Sequence, residues 1–139
     1  MLGLALVSCS KDVDEPTNPE SSQENSPKYE YYVKYEFSGS SKYQTYNSIS
    51  ATITTEKGVV TMVIPGKWEG TFGPFSKLET LQFSIKCDPD IYYSYAYFGY
   101  FNGRISICRG NQPYILKADE TFRGEPLKMS YKVTAEDLK

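Results

Sequence analysis

The chain predicts an all-β protein, an antiparallel two-sheet sandwich of seven to eight short strands, and three observations carry that expectation. Apolar and polar residues alternate at period two through much of residues 29–135, the pattern of strands buried on one face. Clusters of Gly, Pro, Asn and Asp interrupt the alternation about every eight to twelve residues, as the turns of a sandwich do. No segment shows the 3.6-residue period of an amphipathic helix. Thirteen Tyr, seven Phe and one Trp provide the bulk for a core, and the body has the length of one small domain. An up-and-down barrel is the main rival architecture.

The first strand places Tyr31, Val33, Tyr35 and Phe37 on one face and Tyr32, Lys34 and Glu36 on the other. Ile49, Ala51 and Ile53 alternate with Ser50, Thr52 and Thr54, and Glu56-Lys57-Gly58 then turns the chain into Val59–Ile64. That is a hairpin signal, with Gly58 free to take positive φ. Between Pro65 and Phe75, Pro and Gly recur every few residues, so the expectation is a loop whose Trp68, Phe72 and Phe75 plug one end of the core. Leu81, Phe83, Ile85 and Cys87 share the next buried face. Asp88-Pro89-Asp90 should turn into an aromatic strand from Ile91 to Phe101, with Asn102-Gly103 as the hairpin that returns it through Arg104–Cys108. Arg109–Pro113 ends that strand, and Asp119-Glu120 falls in a polar connection. Leu127, Met129, Tyr131 and Val133 face inward on the last strand, ahead of a tail at 136–139. The spacing is immunoglobulin-like in the broad sense, without the Cys-Trp-Cys arrangement, because Trp68 precedes both domain cysteines.

The first 28 residues have a different character. Leu6-Val7-Ser8-Cys9 closes an apolar run and resembles the lipobox of bacterial lipoproteins, in which the cysteine is acylated and becomes the mature N-terminus. The resemblance implies lipidation at Cys9 and a signal peptide over residues 1–8. No Lys or Arg and only eight residues precede Cys9, so the expectation is a truncated signal, with Met1 internal to a longer one. The alternative is an ordinary apolar N-terminal tail. The run is shorter than the roughly 20 apolar residues that cross a bilayer, which favours an anchor over a span. Residues 10–28 are rich in Pro, Ser, Asn and acid and bury too little apolar surface to order themselves, so 9–28 is expected to be a lipidated, disordered acidic tether. Lys11-Asp12 with Asp14 and Glu15 also resembles the surface-export signal of Bacteroidota lipoproteins. That likeness implies an outer-membrane protein facing the cell surface, with a periplasm-facing one as the alternative.

Charge and residue types narrow the function. The tether holds five acids and two lysines, leaving the domain near neutral against a total of −2, with no basic footprint for nucleic acid. There is no histidine, no CxxC and no Gly-rich phosphate loop. No catalytic residue, metal or cofactor is expected, and the chain is taken as a non-enzyme. The carboxylate pairs Asp88 with Asp90 and Asp119 with Glu120 suit turns and solvated connections better than catalysis. With Cys9 lipidated, Cys87 and Cys108 would remain as a pair for a disulfide in an oxidising compartment. Strand parity opposes the bridge, since Cys87 is in phase with Phe83 and Ile85 whereas Cys108 is in phase with Arg104 and Ser106. The candidate ligand surface is the row Tyr93, Tyr95 and Tyr97, joined by Trp68, because exposed aromatics stack on sugar rings or pack on proteins; a strand packed on both faces is the plainer alternative.

Tyr35-Glu-Phe-Ser-Gly39, the Gly58 hairpin, the Trp68 segment, Leu81-Gln-Phe-Ser-Ile85 and Asn102-Gly103 together resemble small Bacteroidota lipoproteins of unknown function with an immunoglobulin-like sandwich. More distantly they resemble the periplasmic domain of mycobacterial small membrane proteins that accompany lipid exporters. The resemblance implies a fold and a place. The functional expectation is a lipid-anchored envelope module that binds a ligand or partner. A carbohydrate-binding surface lipoprotein and an accessory subunit of an envelope transporter are the alternatives.

Overall fold

In the computed structural model, which describes residues 29–40 and 48–139, eight strands form two four-stranded antiparallel sheets packed face to face. Chain order is β1 Tyr31–Ser40, β2 Ser48–Thr55, β3 Gly58–Ile64, β4 Lys67–Phe75, β5 Thr80–Asp88, α1 Tyr92–Phe98, β6 Tyr100–Arg109, β7 Ile115–Arg123 and β8 Leu127–Lys132, then a short 3-10 turn Ala135–Leu138. The first sheet has the order β4-β1-β6-β7 and the second β3-β2-β5-β8. Only β2–β3 and β6–β7 are hairpins within a sheet; every other connection passes from one sheet to the other. The segment around Cys9 and the tether lie outside the described residues.

The inward faces are the ones alternation assigns. Tyr31, Val33, Tyr35 and Phe37 of β1 meet Leu81, Phe83, Ile85 and Cys87 of β5, flanked by Ile49, Ala51 and Ile53 of β2 and Phe101, Ile105 and Ile107 of β6. Tyr35 and Phe83 touch across the sheets with ring centroids 5.1 Å apart. A buried phenol needs a partner for its hydroxyl, and Tyr35 donates to the Thr54 carbonyl of the opposite sheet at 2.6 Å while Tyr31 donates to the carbonyl of Lys77. Burial pushes the Tyr31 hydroxyl up to about 12 and raises Tyr35 further.

Four expectations are corrected. The Trp68 segment is a nine-residue strand, β4, rather than a loop. Its register runs Tyr31↔Phe75 and then Val33↔Phe72, so Gly73 and Pro74 both face Tyr32, and this bulge absorbs the two turn-forming residues. Gly73 has φ +141°, and a Cβ there would lie 2.7 Å from the Tyr32 ring. Asn102-Gly103 is not a turn but the middle of β6, paired with Ser38 and Phe37. A Cβ on Gly103 would stand 2.8 Å from both Leu127 Cδ1 and Met129 Sδ, so close packing of the sheets, not a turn, requires glycine there. The hairpin instead closes between β6 and β7, where Gly110 has φ +60°.

Asp119 and Glu120 sit within β7 rather than in a connection. The C-terminal residues, expected as a tail, pack: Leu138 is buried in the core. Asp137 Oδ1 accepts from the Tyr131 hydroxyl at 2.7 Å and pairs with Lys117 Nζ at 3.1 Å, and Oδ2 accepts from the Thr134 N–H at 2.9 Å.

Candidate functional site

The tyrosine run is a helix, not a strand. β7 ends at Arg123, opposite Tyr100, the first residue of β6, so residues before Tyr100 have no β7 ladder to extend. They coil instead across the end of the sandwich, from β5 in one sheet to β6 in the other, and stop at Gly99 with φ +71°. Residues two apart on a helix point to nearly opposite sides. Tyr93 is accordingly 71% exposed whereas Tyr95 is 5% exposed; the side chain of Tyr97 lies outside the description. The Tyr95 hydroxyl donates to Asp90 Oδ1 and accepts from the Cys87 N–H at 3.3 Å, and its ring meets Phe101 edge-on. Burial, followed by the Asp90 bond, raises its pKa. Tyr95 is the pin that docks α1, and being buried it does not join Tyr93 in an outward aromatic row.

Trp68 does not join those tyrosines. It pairs with Phe37 on the core side of β4, half-buried and packed against the core. Its ring lies over Gly70, where a Cβ would come within 2.7 Å of Trp68 Cζ2. Gly70 therefore makes room for a tryptophan laid along the sheet, and Trp68 is a lid on the core edge rather than an outward stacking platform.

The outward face of the first sheet carries a shallow depression of about 370 Å³. Register explains its lining. One row across β4, β1 and β6 is Lys67, Ser38 and Asn102, and the next is Glu69, Glu36 and Arg104; small Ser38 leaves the floor low between longer side chains. Phe37 and Trp68 also border it and, pointing to the core, offer mainly main chain. One rim is braced: Arg104 Nε pairs with Asp119 Oδ2 at 3.3 Å, while Asn102 Nδ2 donates to Asp119 Oδ1 at 2.9 Å, Thr121 Oγ1 at 3.0 Å and the Glu120 carbonyl at 3.2 Å. The lining holds two carboxylates and two cations, so donors and acceptors are mixed and the formal charge balances.

That composition suits an uncharged, hydrogen-bonding ligand better than an ion. Among the described residues no cluster of three metal-ligating side chains occurs. Asp119 and Glu120 alternate along β7 and face opposite sides of the sheet, so they do not converge on one reacting atom. Asp90 is engaged by Tyr95. The polar face of β1 is visible in the sequence as Tyr32, Lys34 and Glu36, although Ser38, which also lines the hollow, was not placed on it. Its neighbours on β6 were hidden, because Asn102 was assigned to a turn.

Cys87 and Cys108 are not bridged to each other: Cys87 is a free thiol. The parity argument gives the reason. Cys87 is on the core face of β5, whereas Cys108 follows Arg104 and Ser106 on the outward face of β6 in the other sheet. Burial, with a smaller contribution from the Asp90 carboxylate, pushes the Cys87 thiol up to about 12. The chain matches no protein-family profile, no curated protein and no solved structure.

Proposed function

We propose that the chain is a lipid-anchored binding module of the cell envelope, held by an acylated Cys9 and presenting the outward face of its first sheet to a ligand. The observation that carries the anchor is the Leu6-Val7-Ser8-Cys9 sequence, followed at once by an acidic, Pro- and Ser-rich stretch. In that reading the roughly 20 residues after Cys9 serve as a tether, whose root-mean-square reach would be about 25 Å. Mass spectrometry of the mature protein from its native host should find a diacyl- or triacyl-cysteine at Cys9, and Cys9→Ala should release the protein from the membrane fraction. An unmodified Cys9 would overturn the anchor.

The hollow favours a neutral polyhydroxylated ligand, a glycan, within that reading. Its mixed donors and acceptors match sugar hydroxyls, and its balanced charge gives little attraction to polyanions. Glu36→Ala combined with Asn102→Ala should weaken glycan binding on an array or by calorimetry by about tenfold or more, the loss expected when hydrogen bonds worth about 1.5–3 kcal/mol are removed. Binding unaffected by both substitutions would exclude the hollow as the glycan site.

A further inference from the structure

The sandwich has four edge strands, and three carry features that discourage pairing with another chain. β4 holds Lys67, Glu69 and the Gly73-Pro74 bulge. β7 holds Lys117, Asp119, Glu120 and Arg123, and β8 holds Lys128 and Lys132. Charges, bulges and proline are the usual protection of an exposed ladder. β3 has none of them: after Gly58 it is Val59-Val-Thr-Met-Val-Ile64, uncharged and β-branched at all but one position. Among the described residues it is also little covered. β4 packs over β2, so β3 projects beyond the first sheet. Val60 and Met62 are only half-buried on its core face, while Val59 is 57% and Val63 74% exposed on the other.

We propose that β3 is a homodimerisation edge, pairing antiparallel with β3 of a second copy about a two-fold axis at Thr61, so that the two second sheets become one continuous eight-stranded sheet. The strand's own sequence selects a second copy over a foreign strand. In that register Val59 faces Val63 of the other copy, Thr61 faces Thr61, and Val60 faces Met62. Every cross-strand pair is apolar or threonine, the kinds that stabilise a sheet. Each pair joins like faces, so both cores stay on the same side. A two-fold contact needs such self-complementarity, and β3 offers it without placing a charge in the new ladder. The proposal is independent of lipidation at Cys9 and of the hollow, which lies on the other sheet.

Sedimentation equilibrium of the full chain tests it. The expected result is a monomer–dimer equilibrium. Val59→Lys with Val63→Lys opposes like charges at both ends of the pairing and should leave a monomer. Val59→Lys with Val63→Glu sets a lysine opposite a glutamate twice and should retain the dimer. Both positions are exposed, and circular dichroism establishes that each variant is folded; if either double variant is not, Thr61→Lys, which opposes two lysines on the axis, should give the monomer instead. A wild-type chain that stays monomeric at the highest attainable concentration overturns the proposal, as it would if residues of the same chain covered β3. A dimer indifferent to Val59→Lys with Val63→Lys, or one lost equally in both double variants, overturns it as well.

Discussion

At Gly103 a methyl group would enter a space already bounded by Leu127 Cδ1 and Met129 Sδ, each 2.8 Å from where it would sit. Both are ends of flexible side chains, so Gly103→Ala should still fold but lose about 1–3 kcal/mol through overpacking. The midpoint of urea unfolding measures this, and an unchanged midpoint would show that close packing of the sheets does not require glycine at 103. Asp137 has a different kind of leverage. Burial works against its charge, but the Thr134 N–H, the Tyr131 hydroxyl and Lys117 outweigh that and hold its carboxyl below the ordinary value of 3.8. A carboxyl whose folded pKa is depressed adds stability above its unfolded pKa and loses it as pH falls through the folded one. Thermal stability of the wild type should therefore decline below about pH 4, and Asp137→Asn should flatten that part of the profile.

α1 is a seven-residue helix with no side-chain cap at Ile91, too short to persist without tertiary contacts. Tyr95 supplies them through its hydroxyl bonds to Asp90 and Cys87. Tyr95→Phe should speed hydrogen exchange throughout α1 and at the Cys87 amide while leaving the β2 and β5 centres protected; uniform acceleration would mean that the helix is not a separate unit. The same element shows what could be read from the sequence. β1, β2, β5 and β8 were legible because each buries one face, so period two is written in their residues. Tyr at alternate positions from 93 to 97 imitates that pattern, yet the ladder runs out at Tyr100 and tertiary geometry decides for a helix. β4 and β7 were missed for another reason: as edges they are largely exposed, and a bulge lets β4 carry Gly and Pro. The hollow depends on which residues of three strands lie side by side, and alternation fixes faces but not register.

Over the whole molecule, buried phenols couple the fold to alkaline pH. Tyr31 is pushed up to about 12, and Tyr35 and Tyr95 are raised more, chiefly by burial, from the ordinary value of 10.0. The folded state holds these protons where the unfolded chain would release them, so their contribution is complete below pH 10 and is lost as pH rises through that value toward 12. Tyrosinate absorbance should thus rise in two stages, exposed rings first and the buried set together with the loss of far-ultraviolet β signal; a single titration near 10 with the sandwich intact would contradict this. Cys87 turns the same enclosure into a clock. Alkylation requires a thiolate, and this thiol is 2% exposed with its pKa raised to about 12. A reagent in solution must wait for β5 and α1 to part before it can react. The rate at which label accumulates on the Cys87 peptide then counts how often the native sandwich breathes open.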